Sequence, residues 1–115
     1  MDLTIYHNPR CSKSRKTLEL ILAANINPII KEYLNETLSA EEINILLSQL
    51  NLPIRDILRK GEAIYKTHGL SDKNLSDAEL IDAVIESPIL LERPIVSNGS
   101  QAIIGRPPEN VNSLI

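Results

Sequence analysis

The sequence has very few aromatic residues and a single cysteine. It contains no Trp and no Phe, and its three Tyr are the only aromatic side chains. The core must therefore be filled by Leu, Ile, Val and Ala, and a surface that stacks on nucleic-acid bases is not expected. One cysteine excludes an internal disulfide and makes a structural zinc site a poor interpretation, because such sites usually need four Cys and His ligands.

Long apolar runs and a strong excess of one charge are also missing. The formal net charge is -3, which argues against broad electrostatic binding to nucleic acid or to anionic membranes. No stretch approaches the ~18 apolar residues that a membrane span needs. The first six residues lack the basic and apolar segments of a secretory signal. We therefore expect a cytoplasmic monomer without a nucleic-acid or membrane partner.

What is present is an ordinary globular composition. Of the 115 residues, 43% are hydrophobic and 23% are charged, which is typical of a folded domain. Because this length is too small for two independent cores, we expect a single domain over residues 1–115.

The first third of the chain predicts a β-loop-α-β unit. Residues 3–6 are β-prone, and the run ends before Pro9, which lacks a backbone donor. Apolar residues then recur at helical spacing from Ser12 until residues 25–28 stop the pattern. Residues 28–33 are typical of a second strand, which we expect to be parallel to the first.

The middle of the chain is helical in character. Two capping-box patterns, Ser39 with Glu42 and Ser76 with Glu79, each begin an apolar helical segment. A short helix over residues 54–58 is expected between them.

The end of the chain combines a hairpin with a short helix. The apolar runs 94–97 and 102–104 flank Asn98-Gly99, a typical hairpin signal, and residues 107–115 suit a final short helix. This element order predicts an α/β fold of three layers, with a mixed sheet of about four strands. The helices of about residues 38–87 form an insertion or subdomain.

Cys11 lies where a thiol is easily activated. It follows the first strand and directly precedes the first helix, whose free N–H groups and dipole favour a thiolate. Cations without any acid surround it: Arg10, Lys13, Arg15 and Lys16. The alternative is a buried apolar cysteine, the common state of a lone cytosolic thiol, although the polar neighbours make burial awkward.

The residues after Cys11 limit the chemistry that it can perform. Ser14 stands where a C-x-x-C redox motif has its second cysteine, so any thiol cycle needs an external thiol. A phosphatase loop would need Arg six places after the cysteine, where this chain has Thr17. A phosphatase is therefore a weak interpretation.

Three arginines stand apart from the routine helical ion pairs: Arg59, Arg93 and Arg106. Taken singly, each has an ordinary interpretation as a helix cap or a solvated turn residue. Together, beside the thiolate, they would form a pocket for a tetrahedral oxyanion, but their spacing does not show whether they converge. We interpret His7 as a loop residue that influences Cys11 or bonds locally, and we assign no function to His68.

Five segments in register carry a family resemblance. They are Tyr-His-Asn-Pro-Arg-Cys-Ser-Lys-Ser-Arg at 6–15, Leu-Arg-Lys at 58–60, Pro-Ile-Leu at 88–90, Arg-Pro-Ile-Val at 93–96 and Gly-Arg-Pro at 105–107. Together they resemble the ArsC family of glutaredoxin-dependent arsenate reductases, and its YfgD-like branch in particular. The resemblance covers nearly the whole chain. It implies a thioredoxin-like (glutaredoxin-like) fold with a helical insertion, and a cis peptide before Pro94.

The resemblance also implies roles for single residues. Cys11 would be the nucleophilic thiolate that attacks arsenate. Arg59, Arg93 and Arg106 would bind the oxyanion, and His7 and Ser14 would tune the thiolate. Glutathione would be the co-substrate and glutaredoxin the partner that resolves the mixed disulfide, with arsenite as product. Neither a metal nor a bound cofactor is expected.

Two alternatives stay open. A glutathione-linked thiol oxidoreductase on the same fold would act on another oxyanion or on a protein mixed disulfide, because a fold does not fix a substrate. An Spx-like transcriptional regulator that binds RNA polymerase is the other. Such regulators usually carry C-x-x-C and lack the last arginine, whereas this chain has Ser14 and Arg106.

Overall fold

The computed structural model describes residues 2–115. Its helices and strands are β1 (Thr4–Tyr6), α1 (Ser12–Ala23), β2 (Ile29–Lys31), α2 (Ala40–Leu50), α3 (Ala63–Thr67), α4 (Asp77–Glu86), β3 (Ile95–Ser97) and β4 (Ala102–Ile104). Short 3-10 helices cover Ile54–Ile57, Pro88–Leu90 and Pro108–Ser113. Of the helices within residues 2–115, none combines the length and the apolar character that a membrane crossing requires.

The four strands form one mixed sheet in the order β2-β1-β3-β4. β1 pairs in parallel with β2 and antiparallel with β3, and β3 pairs antiparallel with β4. Ile5, in the middle of β1, lies opposite Ile30 on one side and Val96 on the other. The predicted β-loop-α-β unit and the predicted hairpin are both confirmed.

Helices cover both faces of this sheet. Successive side chains of a strand point to opposite faces, so Ile5 and Val96 cluster with Ile21 of α1. Ile95 and Ala102 instead join the large apolar cluster of the helices between β2 and β3. The result is the three-layer α/β arrangement with a helical insertion that the element order predicted.

Both predicted capping boxes are formed. The Ser39 hydroxyl accepts a hydrogen bond from the Glu42 N–H at 3.1 Å, and the Glu42 carboxylate accepts one from the Ser39 N–H at 3.2 Å. Ser76 and Glu79 exchange the same two bonds at the start of α4, both at 3.1 Å. These bonds satisfy N–H groups that the first helical turn leaves free, so α2 and α4 begin where the sequence predicts.

The short elements differ from the prediction. β2 is shorter than the predicted strand over residues 28–33, because the chain turns after Lys31 and buries Tyr33 in the core of the insertion. The five-residue α3 was not predicted, since a single turn of helix gives no periodic signal. The final helix is a 3-10 helix with Pro108 as its first residue.

The hairpin turn is longer than the Asn98-Gly99 pair alone. Residues 98–101 connect β3 to β4, and the Asn98 side chain accepts hydrogen bonds from the N–H groups of Ser100 and Gln101 at 2.9 and 2.8 Å. Gly99 has a φ of 94°, the left-handed conformation that glycine tolerates without strain. The turn therefore lies where the sequence predicts it, and Gly99 has the positive φ on which that prediction depends.

Candidate active site

Cys11 is the N-cap residue of α1. Its own N–H donates to the Asn8 carbonyl at 3.0 Å, and its carbonyl accepts from the Arg15 N–H at 3.0 Å, which joins the loop to the first helical turn. The cysteine is partly buried and partly open to solvent. It is therefore not the fully buried apolar residue that the alternative interpretation required.

The pKa of the Cys11 thiol lies below its ordinary value. Burial raises this pKa, but the backbone N–H groups of Ser14 and Lys13 and the guanidinium of Arg93 together lower it by more. The Cys11 side chain makes no capping hydrogen bond of normal geometry. The N–H groups of the first helical turn therefore act on the sulfur as nearby dipoles.

The cation that lowers this pKa comes from a distant part of the sequence. Arg93 precedes β3, whereas the predicted run of neighbouring cations is exposed: Arg10, Lys13, Arg15 and Lys16. Arg15 donates to the Pro9 carbonyl at 2.9 Å, and Lys16 faces Glu19 at 3.9 Å. Two of these cations therefore make local contacts, Arg15 with the cysteine loop and Lys16 with a neighbour on α1.

His7 and Ser14 fix the loop around the thiol. Both are buried, and the Ser14 hydroxyl lies 2.6 Å from His7 Nδ1 while accepting from the Asn8 N–H at 3.0 Å. Burial lowers the pKa of His7, which favours the neutral ring, and His7 Nδ1 shares a hydrogen bond with the Ser14 hydroxyl. The Ser14 N–H lowers the pKa of the Cys11 thiol. That the His7 and Ser14 side chains tune the thiolate stays a prediction.

A backbone bridge brings Arg59 to the site. Leu58 lies opposite Leu91 in an isolated antiparallel bridge, and the Arg59 N–H donates to the Leu90 carbonyl at 2.7 Å. The helical insertion is tied in this way to the segment that leads into β3. Arg59 therefore lies beside Glu92, although 33 residues separate them in sequence.

Glu92 joins two of the three arginines. One carboxylate oxygen lies 3.3 Å from Arg59 Nη1, and the other lies 3.7 Å from Arg106 Nε. Arg106 also donates from Nη1 to the Arg93 carbonyl at 3.0 Å. Arg93 acts on the thiol, and Glu92 and the Arg93 carbonyl join the three arginines into one group, which their spacing in the sequence did not show.

Gly105 allows Arg106 to approach this cluster. A Cβ atom at Gly105 would come within 2.6 Å of Thr17 Oγ1 and 2.7 Å of Pro94 Cγ, so only glycine fits between them. Thr17 is itself held by a hydrogen bond from its hydroxyl to the Lys13 carbonyl at 2.8 Å. The peptide bond before Pro94 is cis, as the family resemblance implies, and the bond before Pro107 is cis as well.

Sequence reasoning missed two residues of this cluster. Glu92 directly precedes Arg93, and an acid beside an arginine is too common to single out in a sequence. Tyr33 follows the second strand and looks like ordinary core material. Its hydroxyl is nevertheless buried without a hydrogen-bond partner, and burial raises the pKa of Tyr33 to about 12.

A cleft opens next to the arginines. Its volume is about 780 Å³, and Glu92 and Arg106 line it together with the apolar side chains of Leu50, Leu52 and Ile104. No group of three or more His, Cys, Asp or Glu that could hold a metal ion occurs in the described residues 2–115. His68 is exposed at the end of α3 and lies outside the cluster.

Fold and site together define a thioredoxin-like protein with one activated cysteine at the start of its first helix. The chain belongs to the ArsC family, whose family model matches residues 6–114. The predicted fold class and the family resemblance are both confirmed.

The similarity to individual relatives extends over whole chains. The chain is 44% identical to an arsenate reductase of Haemophilus influenzae, over 100% of both chains. It is 43% identical to the uncharacterized protein YfgD of Escherichia coli, over 99% of this chain and 97% of that one. The solved structure of an arsenate reductase from Vibrio cholerae superposes with a TM-score of 0.96 at 47% identity, over 100% of this chain and 98% of the other.

Proposed function

We propose that this protein reduces arsenate to arsenite through the Cys11 thiolate, with glutathione as co-substrate and glutaredoxin as partner. The observation that carries the proposal is a single thiol of lowered pKa beside Arg93, which belongs to one group with Arg59, Glu92 and Arg106. Arsenate is a tetrahedral oxyanion, and arginine is the side chain best suited to hold one. Full-length similarity to proteins named arsenate reductase supports this substrate.

The first step forms a bond between sulfur and arsenic. The Cys11 thiolate attacks As(V), and one arsenate oxygen leaves as water after taking up protons. Two anions must approach each other for this attack, so fixed cations have to offset their repulsion. Arg93, beside the sulfur, and Arg59 and Arg106, on the two oxygens of Glu92, supply that positive charge.

The electrons come from external thiols. Glutathione displaces a second oxygen as water and forms its own bond to arsenic. A glutaredoxin thiolate then attacks the glutathione sulfur. The bond between glutathione sulfur and arsenic breaks, and its electron pair stays on arsenic and reduces As(V) to As(III). The oxidised product is the mixed disulfide of glutaredoxin and glutathione, and water releases arsenite from Cys11. External thiols are required because Cys11 is the only cysteine.

The proposed reaction also bears on where the protein works and with which partners. We place the reaction in the cytoplasm, where glutathione keeps a free thiol reduced. We propose that the protein works as a monomer, with no bound cofactor or metal and no nucleic-acid or membrane partner. We propose that the thiol co-substrate approaches from the cleft that Arg106 and Glu92 line.

The test is arsenate-dependent oxidation of NADPH in the presence of glutathione, glutaredoxin and glutathione reductase. We expect turnover that stops when glutathione or glutaredoxin is left out and that is absent in Cys11→Ser. Absence of turnover in a protein whose Cys11 still alkylates at neutral pH would contradict the proposal. The activated thiol would then belong to a glutathione-linked enzyme with another substrate.

A further inference from the structure

Tyr33 carries a buried hydroxyl whose proton has no acceptor in the fold. The residue is 1% exposed, within the apolar cluster of the insertion. Its hydroxyl makes no well-formed hydrogen bond, and the neighbouring Arg93 guanidinium, which lowers the pKa of Tyr33, can donate to the phenol oxygen but cannot accept its proton. Buried tyrosine hydroxyls usually find a partner, because an unsatisfied polar group is costly. A phenylalanine would fill the same space without this cost.

The position of this hydroxyl relates it to the candidate site. Within residues 2–115, the buried side-chain polar atoms without a hydrogen bond are Tyr33 Oη, Arg59 Nε and Arg93 Nε. Arg59 Nε faces the Glu62 carboxylate at 3.9 Å, beyond hydrogen-bond distance. All three carry a proton to donate. Arg93 acts on the Cys11 thiol, and Arg93 and Arg59 both act on Tyr33. A tetrahedral oxyanion offers several acceptor oxygens, so one ligand would satisfy this set of donors.

The groups that act on the pKa of Tyr33 are those of the candidate site. Burial raises its pKa to about 12, while Arg93 and Arg59 lower the pKa and Cys11 raises it. The phenol therefore keeps its proton at neutral pH. It is a neutral donor and not a base, unlike the arginines, which each add a positive charge.

We propose that Tyr33 is a fourth anion-binding residue, whose hydroxyl donates a hydrogen bond to an oxygen of the oxyanion held by Arg59 and Arg93 beside Cys11. The proposal rests on the proposed function for the identity of its substrate. The binding of a tetrahedral anion beside the thiol does not require turnover, so the two can fail separately.

The experiment measures anion binding through the thiol. Cys11 is alkylated with iodoacetamide, without glutathione, at increasing concentrations of arsenate or phosphate, and the protection gives the affinity for the anion. Tyr33→Phe removes only the unpartnered hydroxyl. Tyr65→Phe is the matched control, since Tyr65 is also buried in the insertion but contributes no unpartnered atom.

We expect Tyr33→Phe to bind both anions about tenfold to a hundredfold more weakly, as for loss of a hydrogen bond to a charged group. Tyr65→Phe should bind them like the wild type. The pH profile of alkylation without anion should be the same in all three proteins. Because the hydroxyl makes no well-formed hydrogen bond in the fold, the Tm of Tyr33→Phe should stay close to that of the wild type.

Three results would overturn this role for Tyr33. They are unchanged protection in Tyr33→Phe, a wild type that neither anion protects, and a loss of protection that follows a shifted thiol pKa. The last result would show that Tyr33 acts on Cys11 instead of on the anion. If protection behaves as expected but the wild type does not turn over arsenate, the proposed reduction fails while the role of Tyr33 stands.

Discussion

At the scale of single residues, the reactivity of Cys11 depends on a cation that is remote in sequence. Arg93 reaches the thiol from the segment before β3 and lowers its pKa, against the opposing effect of burial. Arg10 is adjacent in sequence but exposed. The thiolate is therefore stabilised by the tertiary structure as well as by its place at a helix start.

This difference can be measured by the pH dependence of alkylation. Only the thiolate reacts, so the midpoint of the profile reports the thiol pKa. We expect a midpoint below the ~8.5 of a free cysteine, raised by Arg93→Ala and unchanged by Arg10→Ala. Equal shifts in the two variants would show that general electrostatics, and not a defined contact, controls the thiol.

In the proposed function, Glu92 competes with the substrate for the same arginines. Its two carboxylate oxygens face Arg59 and Arg106, which an incoming oxyanion must also use. Removing this negative charge should favour anion binding. We expect Glu92→Gln to lower the KM for arsenate by up to about fivefold, the size of a partly exposed ion pair. The control is Glu86→Gln, at the exposed end of α4; a raised KM in Glu92→Gln would show that Glu92 orients the arginines.

At the scale of elements, the helices and strands with strong local sequence signals were predictable. The grouping of the arginines was not. The capping boxes, the strand before Pro9 and the hairpin follow from residues close together in sequence, and each is confirmed. The placement of Arg59 depends on the bridge between Leu58 and Leu91, a long-range contact with no local pattern. Residue spacing therefore did not show that the arginines lie close together. Their predicted roles came from the family resemblance.

The turn after β4 gives a test at this scale. A Cβ at Gly105 would meet Thr17 and Pro94 at less than 3 Å, so Gly105→Ala must displace Arg106 or the cysteine loop. We expect a loss of about 1–3 kcal/mol in unfolding free energy, the usual cost of overpacking, together with weaker anion binding. Gly61→Ala is the control, since nothing lies within 4 Å of its added Cβ. Equal effects of both substitutions on anion binding would exclude this packing role.

At the scale of the whole molecule, the neutral buried His7 links stability to pH. Burial lowers its pKa in the folded state, while the unfolded chain has a His pKa of about 6.5. As the pH falls below about 6.5, the unfolded state takes up the proton first, so the free energy of unfolding decreases. This stabilisation is fully present above that pH.

Urea unfolding at about pH 7.5 and at about pH 5.5 tests this link. We expect a lower midpoint at the acidic pH in the wild type and in His68→Gln, whose histidine is exposed. His7→Gln should lose most of this difference, because glutamine does not titrate. The same decrease in His7→Gln would assign the pH dependence to other groups.

The organisation as a single domain over residues 1–115, with a helical subdomain at about 38–87, stays a prediction. The bridge at Leu58 and the contact of Ile95 with the insertion's apolar cluster connect these helices to the sheet. We therefore expect one cooperative unfolding transition, with the same midpoint by circular dichroism and by Tyr fluorescence. Two separate transitions would show that the helices fold independently.

The central claim is that Cys11, within its arginine cluster, reduces an oxyanion. Direct arsenic speciation tests it: the protein is incubated with arsenate, glutathione and reduced glutaredoxin, and arsenite is quantified against Cys11→Ser. We predict that arsenite accumulates over many turnovers with the wild type and stays at the protein-free background with the variant. Equal arsenite from both proteins, or none above background from the wild type, would contradict the account.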